Sequence, residues 1–253
     1  MRARAAQAIL RDVKPIDPNM LLRAYAIGVF PMADARDADD VYWVEPKMRG
    51  VMPLDGFHLS RSLAKTLRSG RFSVTADRAF GRVVAACAEA TAQRPGTWIN
   101  HQIEMACAQL HLSGHAHSVE CWNGDRLVGG LYGISLGGAF FGESMFSRET
   151  DASKVALAHL VARLKIGGYR LLDCQFITDH LASLGAIEIS RDAYVALLDE
   201  ALGAGEGLAA GAPSVDFGAL DSRFAPPDDS DPTLTVAGPI SGCVIAQLLG
   251  QTS

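Results

Sequence analysis

The stretch from 117 to 147 constrains the fold of this chain more than any other. It reads HSVECW, the turn NGD, RLVGGLYGISL, a Gly-Gly turn and AFFGESMFS. Runs rich in β-branched and aromatic residues, separated by tight-turn residues, predict a three-stranded antiparallel meander. A helix is expected from about Ala152 to Ile166, ended by Gly167-Gly168. YRLLDCQF then reads as a strand, TDHLASLG as a short helix and YVALLDEAL as a last helix. Strand, strand, strand, helix, strand, helix is an α+β order, a mostly antiparallel twisted sheet with helices packed on it.

Three units are expected along the chain. Residues 1–46 form a small N-terminal unit, in which Asp17-Pro18 opens a helix that Gly28 stops, Pro31 fixes a turn and VYWV makes a short strand. Residues 47–202 carry the main domain, with further helices over Ser60–Gly70, Arg78–Ala92 and IEMACAQLHLS, and a strand at FSVTA. Residues 203–253 read as an acidic, Gly/Ala/Pro-rich tail whose apolar end, GPISGCVIAQLLGQ, can dock.

Composition removes several classes of protein. Of 253 residues, 49% are hydrophobic and 20% charged, ordinary globular usage that excludes a disordered or collagen-like chain. A formal charge of −5 argues against binding nucleic acid through bulk positive charge. The cysteines at 87, 107, 121, 174 and 243 include no C-x-x-C pair, and they read as reduced cytoplasmic thiols. No signal-peptide core and no apolar run of membrane-spanning length occurs, so neither export nor a membrane is expected.

Four clusters of residues could carry chemistry. On a strand of period two, Asp173 and Gln175 face one side and Cys174 the other, so a carboxylate and an amide could polarise one incoming amine. The bland alternative is an Asp that satisfies nearby backbone at a strand end. Glu143 sits in the otherwise apolar FFGESMF, where a buried carboxylate is expensive unless it is paired, for instance with Arg148, or functional. Arg61, Lys65 and Arg68 form one helical stripe, in a span from 44 to 73 that holds six Lys/Arg (with Lys47, Arg49 and Arg71) against Glu45 and Asp55. His111, His115 and His117 imitate a metal triad, but helix-to-strand spacing explains them and no metal site is expected. The glycines of LVGGLYGISLGG lie in hairpin strands, not in the strand-to-helix setting of a phosphate loop.

GESMFS, DCQ and SLGA, with WIN, GHAHSVE and VGGLYG, resemble the leucyl/phenylalanyl-tRNA-protein transferase family over about Met20 to Leu198. That resemblance implies a GNAT-type acyltransferase domain. It implies transfer of Leu or Phe, with Met as a further candidate, from aminoacyl-tRNA to the α-amine of proteins beginning with Arg or Lys, marking them for N-degron degradation. Asp173, Gln175 and Glu143 are the catalytic positions it implies. Tyr25, Met32, Trp98, Phe140 and Met145 are implied to form the aminoacyl pocket, and Arg61, Lys65 and Arg68 to meet the tRNA acceptor stem. Met32 and Cys107 depart from aromatic residues found in the family, which bears on the choice between Leu and Phe, and Ser69 departs from a basic residue on the helix implied to meet the acceptor stem.

The ester of aminoacyl-tRNA is already activated, so neither ATP, metal nor another cofactor is expected. An α-amine of pKa about 7.7–8.0 leaves a useful neutral fraction, and most of the rate can come from alignment. One rival is a GNAT enzyme using acyl-CoA, but SMFSRETDASK lacks the Q/R-x-x-G-x-G/A loop that holds a pyrophosphate. The other is a non-catalytic tRNA- or peptide-binding module, which has no need of Glu143, Asp173 and Gln175 together.

Overall fold

In a computed structural model the described residues are 15–91, 96–203, 215–225 and 239–250. The expectations for residues 1–14, for the helix end at Ala92, and for the acidic run at 204–214 and 226–238 lie outside them. The meander is present as β5 (Ala116–Asn123), β6 (Arg126–Leu136) and β7 (Ala139–Ser147). It belongs to a seven-stranded sheet of order β4-β5-β6-β7-β8-β3-β9, with β3 at Met48–Val51, β4 at Ser73–Ala76, β8 at Leu171–Gln175 and β9 at Ile187–Ser190. All neighbours are antiparallel except β7 and β8. The architecture is α+β.

Helices cover both faces of the sheet, and each face has its own apolar cluster. One cluster is built on α1 (Pro18–Ala26), α3 (Phe80–Ala88), α4 (His101–Leu112) and α7 (Arg191–Leu202). The other centres on α5 (Ala152–Ile166), with α2 (Arg61–Arg68) beside it. Because α5 is buried on nearly every side, its residues are apolar or small almost throughout, and burial pushes the imidazole of His159 down to about 3, which keeps it neutral. The helix starts follow local rules: Asp17, Ser60, Asn100, Thr178 (before the short α6, Asp179–Ala182) and Ser190 each cap a helix by accepting a bond from a first-turn amide.

Five expectations need correction. Pro31 does not make a turn; it lies within β1 (Phe30–Met32), which pairs with β2 (Tyr42–Val44) in a two-stranded sheet where a missing N–H is tolerated. The helix expected from Arg78 starts only at Phe80. Strands β3 and β9 were not expected, because four residues are too few to show a period. The helix at YVALLDEAL begins at Arg191 and is not the last. Finally, the acidic stretch is not wholly solvated, since α8 (Ala219–Arg223) buries Leu220; α9 (Gly242–Gly250), in the apolar end expected to dock, buries Ile245, Ala246 and Leu249 against α5 and α2. Arg163 of α5 clasps Asp221 of α8 through two bonds of 2.5 and 2.9 Å.

Candidate active site

The parallel pairing of β7 with β8 covers only Ala139–Phe141 against Leu171–Asp173. Beyond those pairs both strands continue without each other, and a cleft of about 300 Å³ lies there. Ligands of α/β sheets gather at such carboxyl ends of parallel strands. Trp98, Leu131, Met145, Leu157, Leu160 and Leu172 give the cleft an apolar lining, and Glu143, Cys174 and Gln175 add its chemistry.

Two bulges set the direction of those side chains. Tyr132 and Gly133 of β6 face Ser144 and Gly142 of β7, so Glu143 is the extra residue between them. Gly133 permits this, since a Cβ there would stand 2.3 Å from the Phe141 carbonyl oxygen. On β8, Cys174 is the extra residue, because Gly50 and Val51 of β3 face Gln175 and Asp173. Bulges re-aim side chains at sites. The strict alternation expected for Asp173, Cys174 and Gln175 therefore fails at its end: Gln175 has φ +61°, and both it and Cys174 line the cleft.

Glu143 is buried, and its Oε1 accepts from Tyr25 Oη at 2.8 Å and from Gln175 Nε2 at 2.8 Å. Its Oε2 has no hydrogen-bond partner among the described residues, and neither has the buried hydroxyl of Tyr132, a residue of the cleft lining. Burial pushes the Glu143 carboxyl up to about 8; the Tyr25 bond opposes the rise, the Asp173 charge adds to it, and Arg49 and Gln175 oppose it. Arg148 pairs with Glu89 and not with Glu143. Burial also raises the phenol of Tyr25 and the thiol of Cys107, and pushes the Cys174 thiol up to about 12, so none of them is charged at neutral pH.

Asp173 is fully buried and surrounded by donors. Arg49 Nε reaches its Oδ1 at 2.9 Å and its Oδ2 at 3.1 Å, Arg49 Nη2 reaches Oδ2 at 2.5 Å, and Tyr194 Oη reaches Oδ2 at 2.9 Å. The Gln175 amide donates to Oδ1 at 2.7 Å. Asp173 thus faces away from the cleft into an ion pair that is 1% and 0% exposed.

The structure brings Glu143, Gln175, Trp98 and Met145 to one cleft. Tyr25 stands behind it, joined through Glu143, and half-buried Met32 packs with Tyr25's cluster. Phe140 is not in the lining; its buried ring stacks on Phe217, with centroids 5.7 Å apart. Arg61, Lys65 and Arg68 are exposed on α2 and make no ion pair among the described residues. The wider basic patch is smaller than its residue count, because Arg49 is buried and Arg71 pairs with Glu149 at 2.7 Å. The histidines have separate duties: His111 and His115 bond backbone carbonyls, and His117 bonds Asp77 at 2.7 Å. Among the described residues no three His, Cys, Asp or Glu are grouped to hold a metal ion, and no helix is long and apolar enough to cross a membrane.

Sequence reasoning missed Arg49, Tyr194 and Tyr132. The one available sign was an arginine inside the apolar run MRGVM.

A mixed sheet that opens at its one parallel pair into an apolar cleft with the buried carboxyl of Glu143 in its lining is compatible with an acyltransferase fold. The family model described as leucyl/phenylalanyl-tRNA protein transferase matches residues 51–199, and that of its N-terminal domain matches residues 15–47. A leucyl/phenylalanyl-tRNA–protein transferase of Rhizorhabdus wittichii is 70% identical over 252 residues, covering 95% of this chain and 100% of that one. Proteins of the same name from Zymomonas mobilis (66% identity, 74% of this chain and 70% of that one) and Paramagnetospirillum magneticum (60% identity, 75% and 91%) are also similar. The chain belongs to the leucyl/phenylalanyl-tRNA protein transferase family.

Proposed function

We propose that the enzyme takes Leu or Phe, with Met as a further donor, from aminoacyl-tRNA and places it on the α-amine of proteins beginning with Arg or Lys. The reaction belongs in the cytoplasm, where charged tRNA is, and marks its products for degradation. The observation that carries this reading is the cleft itself: an apolar lining fit for an aliphatic or aromatic side chain, with a buried carboxyl oxygen that has no partner among the described residues. Orphaned buried polar atoms are rare, and a catalytic role is one of the few reasons for keeping one.

Within this reading the acceptor amine meets Glu143 Oε2. The amine nitrogen bonds to the ester carbonyl, the carbon–oxygen bond to the ribose breaks, and the amine's proton passes to Glu143 and on to the leaving ribose oxygen. A carboxyl at about 8 matches an α-amine of about 7.7–8.0, so the proton moves either way at little cost. Gln175 fixes the rotamer of Glu143, and Asp173 anchors Gln175. Arg61, Lys65 and Arg68 follow the acceptor-stem phosphates, which position the donor without reading its sequence.

Purified enzyme mixed with labelled leucyl-tRNA and a peptide beginning with Arg, with a chelator present and acetyl-CoA as competing donor, tests the proposal. Leucine is expected on the peptide and acetyl is not. Acetyl transfer, or activity lost to the chelator and restored by zinc, defeats it.

A further inference from the structure

Arg49 is the largest fully buried side chain of the molecule's described part, and no step of the proposed reaction uses it. Its guanidinium lies between two rings, 4.7 Å from the centroid of Phe30 and 4.5 Å from that of Tyr194. Its Nη1 donates to the Gly28 carbonyl at 2.9 Å, and its remaining edge forks onto Asp173. A planar fork clamped between rings has almost no rotational freedom, which a lysine cannot imitate. Burying such a pair gains little stability over an apolar replacement, so its retention calls for another reason.

The next residue, Gly50, points to that reason. A Cβ on Gly50 would stand 2.9 Å from the Ile177 nitrogen and 2.9 Å from the Phe176 carbonyl carbon. The backbone that follows Gln175 therefore rests directly on Gly50. Gln175 itself has φ +61°, which costs a side-chain-bearing residue energy unless its surroundings impose it. Its amide is held at 2.7 Å by the same Asp173 oxygen that Arg49 Nε grips at 2.9 Å. Without that turn the Gln175 side chain would not meet Glu143.

We infer that Arg49 and Gly50 of β3 are positioning residues, which hold Asp173 and the Gln175 turn so that the Gln175 side-chain amide fixes Glu143 in the cleft. This rests on the aminoacyl-transfer reading for its substrates but not for its geometry. Asp173 serves as the anchor of the turn, with Arg49, Tyr194 and the Gln175 backbone N–H as its donors.

Three variants test the inference in the transfer assay. Arg49→Lys keeps the charge and loses the fork. Gly50→Ala keeps every charge and pushes on the 176–177 peptide. Tyr194→Phe removes only one donor from Asp173 and leaves its ring over Arg49. Misplacement near 1 Å costs about 100-fold in rate, so kcat is expected to fall about that far in the first two variants and about 10-fold in the third. KM for leucyl-tRNA and for peptide should stay within about 3-fold, because only groups at the reacting centre have moved. The midpoint of the kcat–pH profile should rise in Arg49→Lys, since the Arg49 and Asp173 charges near Glu143 keep their signs, Tyr25 and Cys107 stay neutral, and the loosened Gln175 bond no longer holds the carboxyl down.

Turnover within about 3-fold of wild type in whichever variants fold overturns the inference, and Tyr194→Phe retains a complete core for that purpose. A midpoint that falls in Arg49→Lys also overturns it, because a looser Gln175 bond can only raise the Glu143 carboxyl. A second readout needs no turnover: the ¹⁵N-labelled side-chain amide of Gln175, identified by its loss in Gln175→Ala, should shift in all three variants and does not shift if the turn is independent of them. Wild-type enzyme inactive with leucyl-tRNA sinks the aminoacyl-transfer reading, and the amide resonance then still decides the positioning one.

Discussion

Glu143 shows what burial does to one residue. In the unfolded chain a glutamate ionises near about 4.3, whereas in the fold this one ionises near about 8. Between those values the native state holds a proton that the unfolded state has released. Stability is therefore lost as pH rises through that window, the reverse of the usual paired carboxylate, and below it there is no penalty. Glu143→Gln removes the titrating group but retains an oxygen for Tyr25 and Gln175. Its thermal midpoint, compared with wild type by scanning calorimetry from about pH 5 to about pH 8, is expected to gain on wild type as pH rises. A difference that stays flat shows that Glu143 is already ionised in the folded protein. That Glu143 needed a partner or a purpose was readable from FFGESMF, yet neither of its partners was. Tyr25 lies 118 residues away and Gln175 lies 32 away, and no spacing rule spans such distances.

At the scale of elements, α2 divides its surface between two partners. Leu63, Ala64 and Leu67 are buried, and Arg61, Lys65 and Arg68 face outward without ion-pair partners among the described residues. The two stripes were legible because a 3.6-residue period puts them on different faces. Reversal of the three cations to Glu is expected to weaken binding of full-length aminoacyl-tRNA and to flatten its dependence on salt, each lost phosphate contact removing about 0.7–0.9 from the slope of log K against log salt. A minimal aminoacyl-adenosine donor has no stem phosphates and should bind as before. Equal losses for both donors would mean that the substitutions damage the fold or that the stripe lies in the cleft. The short strands β3 and β9 mark where element-level reading stopped. Both are held by pairing with strands far along the chain, and β3 fills the gap between β8 and β9.

For the whole molecule, the C-terminal segment is part of the core. Gly242 passes so close to α2 that a Cβ would stand 2.1 Å from the Leu67 carbonyl oxygen, and Ile245 and Leu249 are buried behind it. The far end of the chain thus braces the inner face of the helix that carries the basic stripe. Ile245→Ala and Leu249→Ala are each expected to destabilise the enzyme by about 2–5 kcal/mol in chemical denaturation, the range for a truncated buried aliphatic side chain. Unchanged midpoints would show that α9 is not docked in solution.

Sequence by itself determined the meander, the long buried helix, the α+β order and the family, because turn chemistry, hydrophobic period and uninterrupted motifs are local and survive without neighbours. It also brought forward Glu143, Asp173 and Gln175. Only the tertiary structure decided how those three differ: Glu143 lines the cleft with one buried oxygen unpartnered among the described residues, Gln175 holds its other oxygen, and Asp173 is enclosed by Arg49, Tyr194 and the Gln175 backbone N–H. The reason is physical. A bulge, a left-handed residue and a buried ion pair are imposed by contacts between distant strands, and alternation along one strand carries no trace of them.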